Sequence, residues 1–95
     1  MKTKSFVNLY FTDDKEMQGI NKKYRGKDYP TDVLSFSYDE EVPDGKFYVG
    51  DIVVNLDAAK RQALENSLTL EEEVSKLVAH GMLHLQGVHH EGDDH

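Results

Sequence analysis

Hydrophobic and polar positions change period several times along the chain, and each change marks an element. Ser5–Phe11 (SFVNLYF) sets Phe6, Asn8 and Tyr10 opposite Val7, Leu9 and Phe11, which predicts a strand buried on at least one face. Met17, Ile20 and Tyr24 then recur at helical spacing behind Asp13, with Glu16 placed as its capping partner and Gly26 as the stop. Lys27–Thr31 (KDYPT) is a connector, because its proline turns Tyr29 away from helix. Val33, Ser35 and Ser37 alternate with Leu34, Phe36 and Tyr38 in a second predicted strand. The acidic stretch from Asp39, running into Pro43, Asp44 and Gly45, predicts a solvent-exposed loop. Lys46–Val54 (KFYVGDIVV) is the third strand, and Gly50 in its middle points to a bulge or a close backbone approach.

The remainder reads as helix. Asn55 or Asp57 caps a segment of helix formers, Ala58–Asn66, and Thr69 with Glu72 forms a capping box ahead of a longer helix. Leu70, Val74, Leu77, Val78 and Leu85 give that helix an apolar stripe, Glu71, Glu72 and Glu73 suit its N-terminal dipole, and Gly87 is its natural stop. The order β, α, β, β, α, α predicts an α+β fold, a small mixed sheet packed with helices, in one domain over residues 1–95. No repeat, linker or low-complexity segment interrupts it.

Composition narrows the chemistry. The chain has no cysteine, so disulfides and thiolate metal sites are excluded, and any transition-metal site must use imidazole and carboxylate. No run of about 18 apolar residues is present, and MKTKSFVNLYF lacks a small-residue cleavage site, so the expectation is a cytoplasmic protein without a membrane partner. A net charge of −7 argues against a sequence-independent nucleic-acid coat. The charge is uneven, however: NKKYRGKD (21–28) is basic and DEEVPD (39–44) acidic, the ordinary role of either run being a solvated surface.

All five histidines lie in the last sixteen residues. His80 and His84, four apart on the last helix, share one face, where both nitrogens can reach one zinc ion at ~2.0 to 2.1 Å. Gly87 lets the chain turn back so that His90 approaches the same ion from outside the helix, although His89 stands beside it as a rival. Three imidazoles leave a fourth position open, the arrangement of a catalytic zinc whose bound water has a pKa near about 7. The metal site is therefore expected at the C-terminal end of the last helix. The metalloprotease helix HExxH carries a glutamate base after its first histidine, and Gly81 stands there instead. Glu91, Asp93 and Asp94 are nearby carboxylates better suited to solvation or to orienting ligands.

These residues carry a resemblance. HGMLHLQGVHH resembles the HGxLHLxGxDH signature of the YbeY endoribonucleases, YRGKDYPTDVLSFSYDEE resembles their YRxKDxPTDVLSFP segment, and VGDIVVNLDAAKRQA resembles their LGDIVIS strand and following helix. The blocks occur in the family's order between Tyr24 and His90. The resemblance implies a zincin-like site and a zinc-dependent, single-strand-specific endoribonuclease acting on ribosomal RNA, notably in maturation of the small-subunit rRNA 3′ end and in ribosome quality control. It matches His80, His84 and His90 to the ligands of one zinc ion, and Arg25 to a functional arginine whose guanidinium suits a phosphodiester. Lys22, Lys23, Arg25 and Lys27 then serve to steer single-stranded RNA; the ribosomal small subunit is an expected partner and DNA is not. His89, Val88 and Ser37 depart from the family pattern, and the resemblance leads one to expect further N-terminal sequence and a C-terminal helix that this short sequence does not include. Two other readings remain open: a peptide hydrolase, weakened by Gly81, and a ribosome-associated binding module in which zinc only fastens the C-terminal segment.

Overall fold

A computed structural model describes residues 4–85. The first strand, β1 (Ser5–Thr12), leads into α1 (Asp14–Arg25), which starts where the Asp13 carboxylate accepts the Glu16 amide at 2.9 Å. Gly26, at φ 71°, ends that helix in the left-handed region, and the amides of Gly26 and Lys27 return to the carbonyls of Lys22 and Asn21. The hairpin β2 (Val33–Val42) and β3 (Lys46–Asn55) follows, then α2 (Leu56–Glu65) and α3 (Leu70–Leu85). The Thr69 hydroxyl accepts the Glu72 amide at 3.1 Å and the Glu72 carboxylate accepts the Thr69 amide at 2.9 Å, so the expected capping box starts α3.

The sheet is mixed, in the order β1-β3-β2, with β1 parallel and β2 antiparallel to β3. Central β3 is covered on both faces, which explains its unbroken run of buried Ile52, Val53 and Val54. Val33, Ile52 and Val54 pack with Ala59, Leu77 and Leu85 under α2 and α3, and Leu34 and Val53 pack with Met17 under α1. Both readings of Gly50 hold. The registers slip at the neighbouring Val49, and a Cβ on Gly50 would stand 2.1 Å from the Phe36 carbonyl oxygen.

Two expectations need correction. Asp39–Glu41 belongs to β2 rather than to a loop, since Glu40, Glu41 and Val42 pair with Tyr48, Phe47 and Lys46 and the turn is confined to 43–45. An edge strand tolerates such acids because their carboxylates stay in water. Nor is β1 buried along a whole face: Val7 packs against the core, but Leu9 and Phe11 are 42% and 51% exposed, because β1 is the other edge. Among the described residues no helix is long and apolar enough to cross a membrane.

Asn55 joins three elements. Wholly buried at the end of β3, it accepts the amides of Asp57 and Ala58 at 3.0 and 3.3 Å, which makes it the cap of α2. Its amide donates to Asp14 Oδ1 at 2.7 Å and to the Thr31 carbonyl at 3.1 Å. Asp57, the other candidate cap, instead accepts the Asp14 amide at 3.0 Å and so serves the start of α1. Asn55→Ala removes a helix cap and strands buried polar partners; it is expected to lower unfolding free energy by about 2–3 kcal/mol, read by urea denaturation. Arg61 grips Asp14 with Nη1 and Nη2 at 2.7 and 3.0 Å, and these bonds, with that of Asn55, hold the Asp14 carboxyl down at about 2 against 3.8. A depressed carboxyl stabilises the fold above its unfolded value, so this contribution is lost as pH falls from 3.8 to about 2. In Arg61→Ala the Asp14 titration, followed by carboxyl NMR, should move back toward 3.8.

Candidate metal centre

The site is built on α3, whose seat on the sheet is set by Gly81. A Cβ there would lie 3.0 Å from both Ile52 Cγ2 and Ser35 Oγ, so the helix backbone rests directly on a cross-strand pair, Ser35 with Ile52. The Ser35 hydroxyl also donates to the Gly81 carbonyl at 3.1 Å. The residues flanking this contact are the histidines. His84 is 6% exposed, His80 is exposed, and their rings meet edge to face with centroids 4.6 Å apart.

Their Nε2 atoms are 3.0 Å apart. Two nitrogens on one tetrahedral zinc at ~2.0 to 2.1 Å stand roughly 3.3 Å from each other, so the pair fits two positions of such an ion with a small adjustment of the rings. Without metal the same separation is a hydrogen bond in which one ring nitrogen carries the proton. Among the described residues no third His, Cys, Asp or Glu completes a metal-binding group. His90 and its neighbour His89 lie outside the described residues, as do Gly87, Glu91, Asp93 and Asp94.

Arg25 is the last residue of α1, and its Nη2 donates to the Ser35 carbonyl at 2.7 Å while its guanidinium carbon lies 5.5 Å from the centroid of the Phe36 ring. Tyr24 meets the same ring edge-on at 5.4 Å, and Lys23 Nζ lies 5.2 Å from the Tyr24 centroid. Lys22, Lys23 and Arg25 all fall in the last turn, where positive charge also offsets the helix dipole. Lys22 pairs with Asp28 at 3.8 Å, both well exposed, a contact of little energetic weight. The structure thus brings His80 and His84 together and links Arg25 through Ser35, by two hydrogen bonds, to the Gly81 carbonyl on the same helix turn.

Sequence reasoning missed Ser35. Its signal was present, since Ser35 shares the face of Val33, and a hydroxyl on a core-facing position has to find a partner. Also missed was an open groove of about 490 Å³ beside His80, lined by Asp32, Gln62, Asn66, Lys76 and Leu83 among others. The buried Glu73 lines it too, taking the Asn66 amide at 3.4 Å and Lys76 at 3.6 Å.

An α+β fold with two converging imidazoles on a helix laid across a mixed sheet, and a basic helix end tied to that sheet, defines a class of small mixed-sheet domains that carry a histidine pair on their last helix. The model of the family described as Endoribonuclease YbeY matches residues 1–95, and the chain belongs to that family. It is 51% identical over 85 residues to the endoribonuclease YbeY of Aquifex aeolicus, covering 90% of this chain and 56% of that protein. With the namesake of Sulfurihydrogenibium sp. it shares 47% over 88 residues, 93% of this chain and 58% of the other. The solution structure of TM1509 from Thermotoga maritima matches with a TM-score of 0.61 at 36% identity, over 94% of this chain and 53% of that one. The chain therefore spans little more than half the length of these relatives.

Gly81 has a steric reason that a base-bearing helix could not meet. Gly81→Glu should lower stability by about 2–4 kcal/mol, because the side chain must displace Ile52 and bury a carboxylate. Thermal melts would read this loss, and casein digestion should show no protease activity gained.

Proposed function

We propose that the chain is a zinc-dependent endoribonuclease domain that cleaves single-stranded RNA. The observation that carries this reading is the 3.0 Å approach of His80 and His84 Nε2 within a member of the endoribonuclease YbeY family. His80 and His84, with His90 as third ligand, would hold one zinc ion. When bound, such an ion supplies a water acidic enough to act at neutral pH and a Lewis acid for a phosphoryl oxygen. Arg25, fixed by the Ser35 carbonyl and the Phe36 ring, presents a planar guanidinium that binds a phosphodiester and offsets the charge it gathers during displacement. Lys22 and Lys23 add positive charge along the same helix end and draw an RNA strand toward it against the negative whole.

The biological setting in this reading is ribosomal RNA processing in the cytoplasm: maturation of the small-subunit rRNA 3′ end and ribosome quality control, with the small subunit as partner. The family membership and the residue match at Arg25, His80, His84 and His90 support it.

The test is zinc-loaded protein, prepared without a histidine tag, incubated with an unstructured RNA. His84→Ala should lose both stoichiometric zinc and cleavage. Arg25→Ala should keep the metal and lose roughly 10²- to 10³-fold in rate, the usual consequence of deleting one electrostatic donor. Equal cleavage by all three proteins would identify a contaminating nuclease, and zinc binding without turnover would leave a metal-fastened binding module.

A further inference from the structure

We infer that Ser35 is a positioning residue that locks the arginine and the histidine pair into one rigid unit. Three observations carry this. The Ser35 carbonyl accepts Arg25 Nη2 at 2.7 Å, and its hydroxyl donates to the Gly81 carbonyl at 3.1 Å. The space beside Gly81 is filled by that same hydroxyl, 3.0 Å from where a Cβ would stand.

Gly81 lies directly after His80 and three residues before His84, so the backbone that Ser35 holds is the turn presenting both imidazoles. Opposite Ser35 in the β2–β3 register is the wholly buried Ile52, which fixes the other side of the seat. A helix held by packing alone can slide or roll by fractions of an ångström. A hydroxyl bonded to one carbonyl sets its height and rotation on the sheet. With Arg25 bonded to the carbonyl of the same serine, a shift of the histidine turn relative to the guanidinium strains one of two hydrogen bonds, the 2.7 Å bond from Arg25 or the 3.1 Å bond to Gly81. Groups that hold a ligand without touching the metal commonly control affinity in this way, by roughly 10- to 100-fold.

The inference rests on the metal-centre reading above, and its test separates the two. Wild type, Ser35→Ala and Ser35→Thr are compared by zinc affinity in competition with a chromogenic chelator, by thermal melting without metal, and by kcat and KM on single-stranded RNA. Ser35→Ala should bind zinc about tenfold more weakly and lose kcat with KM little changed. Ser35→Thr, which keeps the hydroxyl and suits a strand, should restore both. Zinc affinity of Ser35→Ala within twofold of wild type would overturn the inference whatever its melting temperature, since the hydroxyl would then only pack. A loss that Ser35→Thr fails to restore would overturn it too. Wild type that binds zinc but cleaves no RNA would sink the proposed reaction and still leave the affinity comparison to decide the role of Ser35.

Discussion

The close approach of α3 to the sheet at Gly81 is the constraint on which the site depends. A glycine in a helix interior costs about 1 kcal/mol relative to alanine, and here it lets the helix backbone come within reach of Ile52 and the Ser35 hydroxyl. Once the helix is seated at that depth, its rotation is fixed as well. Leu77 and Leu85 face the core and His84 is drawn inward while His80 stays at the surface, so the pair meets at the boundary between core and solvent. For the proposed metal centre, that boundary would give the ligands one dry, rigid side and one side open to solvent. The residue that makes room for the helix thus also leaves the helix without a carboxylate beside its first histidine.

Arg25 reaches the same place from the opposite end of the molecule's polar wiring. At the start of α1, Asp14 is bound by Asn55 and Arg61 while its amide goes to Asp57, so the helix start is tied to the β3–α2 junction. Near the other end the buried Asn21 amide donates to the Tyr29 carbonyl at 2.8 Å, tying the helix to the connector before β2. Met17, wholly buried between these two ties, packs on Leu34 and Val53. A twelve-residue helix pinned at both ends and in its middle delivers its last residue to a fixed point, and that point is the carbonyl of Ser35.

Local signals in the sequence recovered all six elements, because caps, glycines and changes of period act over a few residues: Asp13, Gly26 and the Thr69–Glu72 box stand where they were expected. The histidine pair was equally legible, since a spacing of four residues on a helix dictates adjacency. What depends on distant pairing was not. Nothing local says that β1 lies parallel to β3 and at an edge, so the exposure of Leu9 and Phe11 could not be read from alternation alone. The acids of Asp39–Glu41 suggested a loop because composition reports solvent, and an edge strand is also solvent-facing. Arg25 emerged from resemblance alone; its partner at Ser35 is ten residues away across a connector, and only the folded chain joins them.

The separation between positioning and attraction has a consequence for how charge works in this molecule. A net charge of −7 repels RNA at long range, and the lysines of α1 can offset it only within about 10 Å at ordinary salt. Lys22 and Lys23 are exposed, one beside Asp28 and one over Tyr24, so their attraction is screened and sensitive to salt. Arg25 is half-buried, and its orientation comes from a short hydrogen bond and an aromatic ring, neither of which weakens appreciably with ionic strength. The same helix end therefore carries two kinds of cation. In the proposed reaction the exposed ones would govern how often a strand arrives, while the anchored one, tied to the Gly81 turn through Ser35, would govern what happens to a phosphate once it is there.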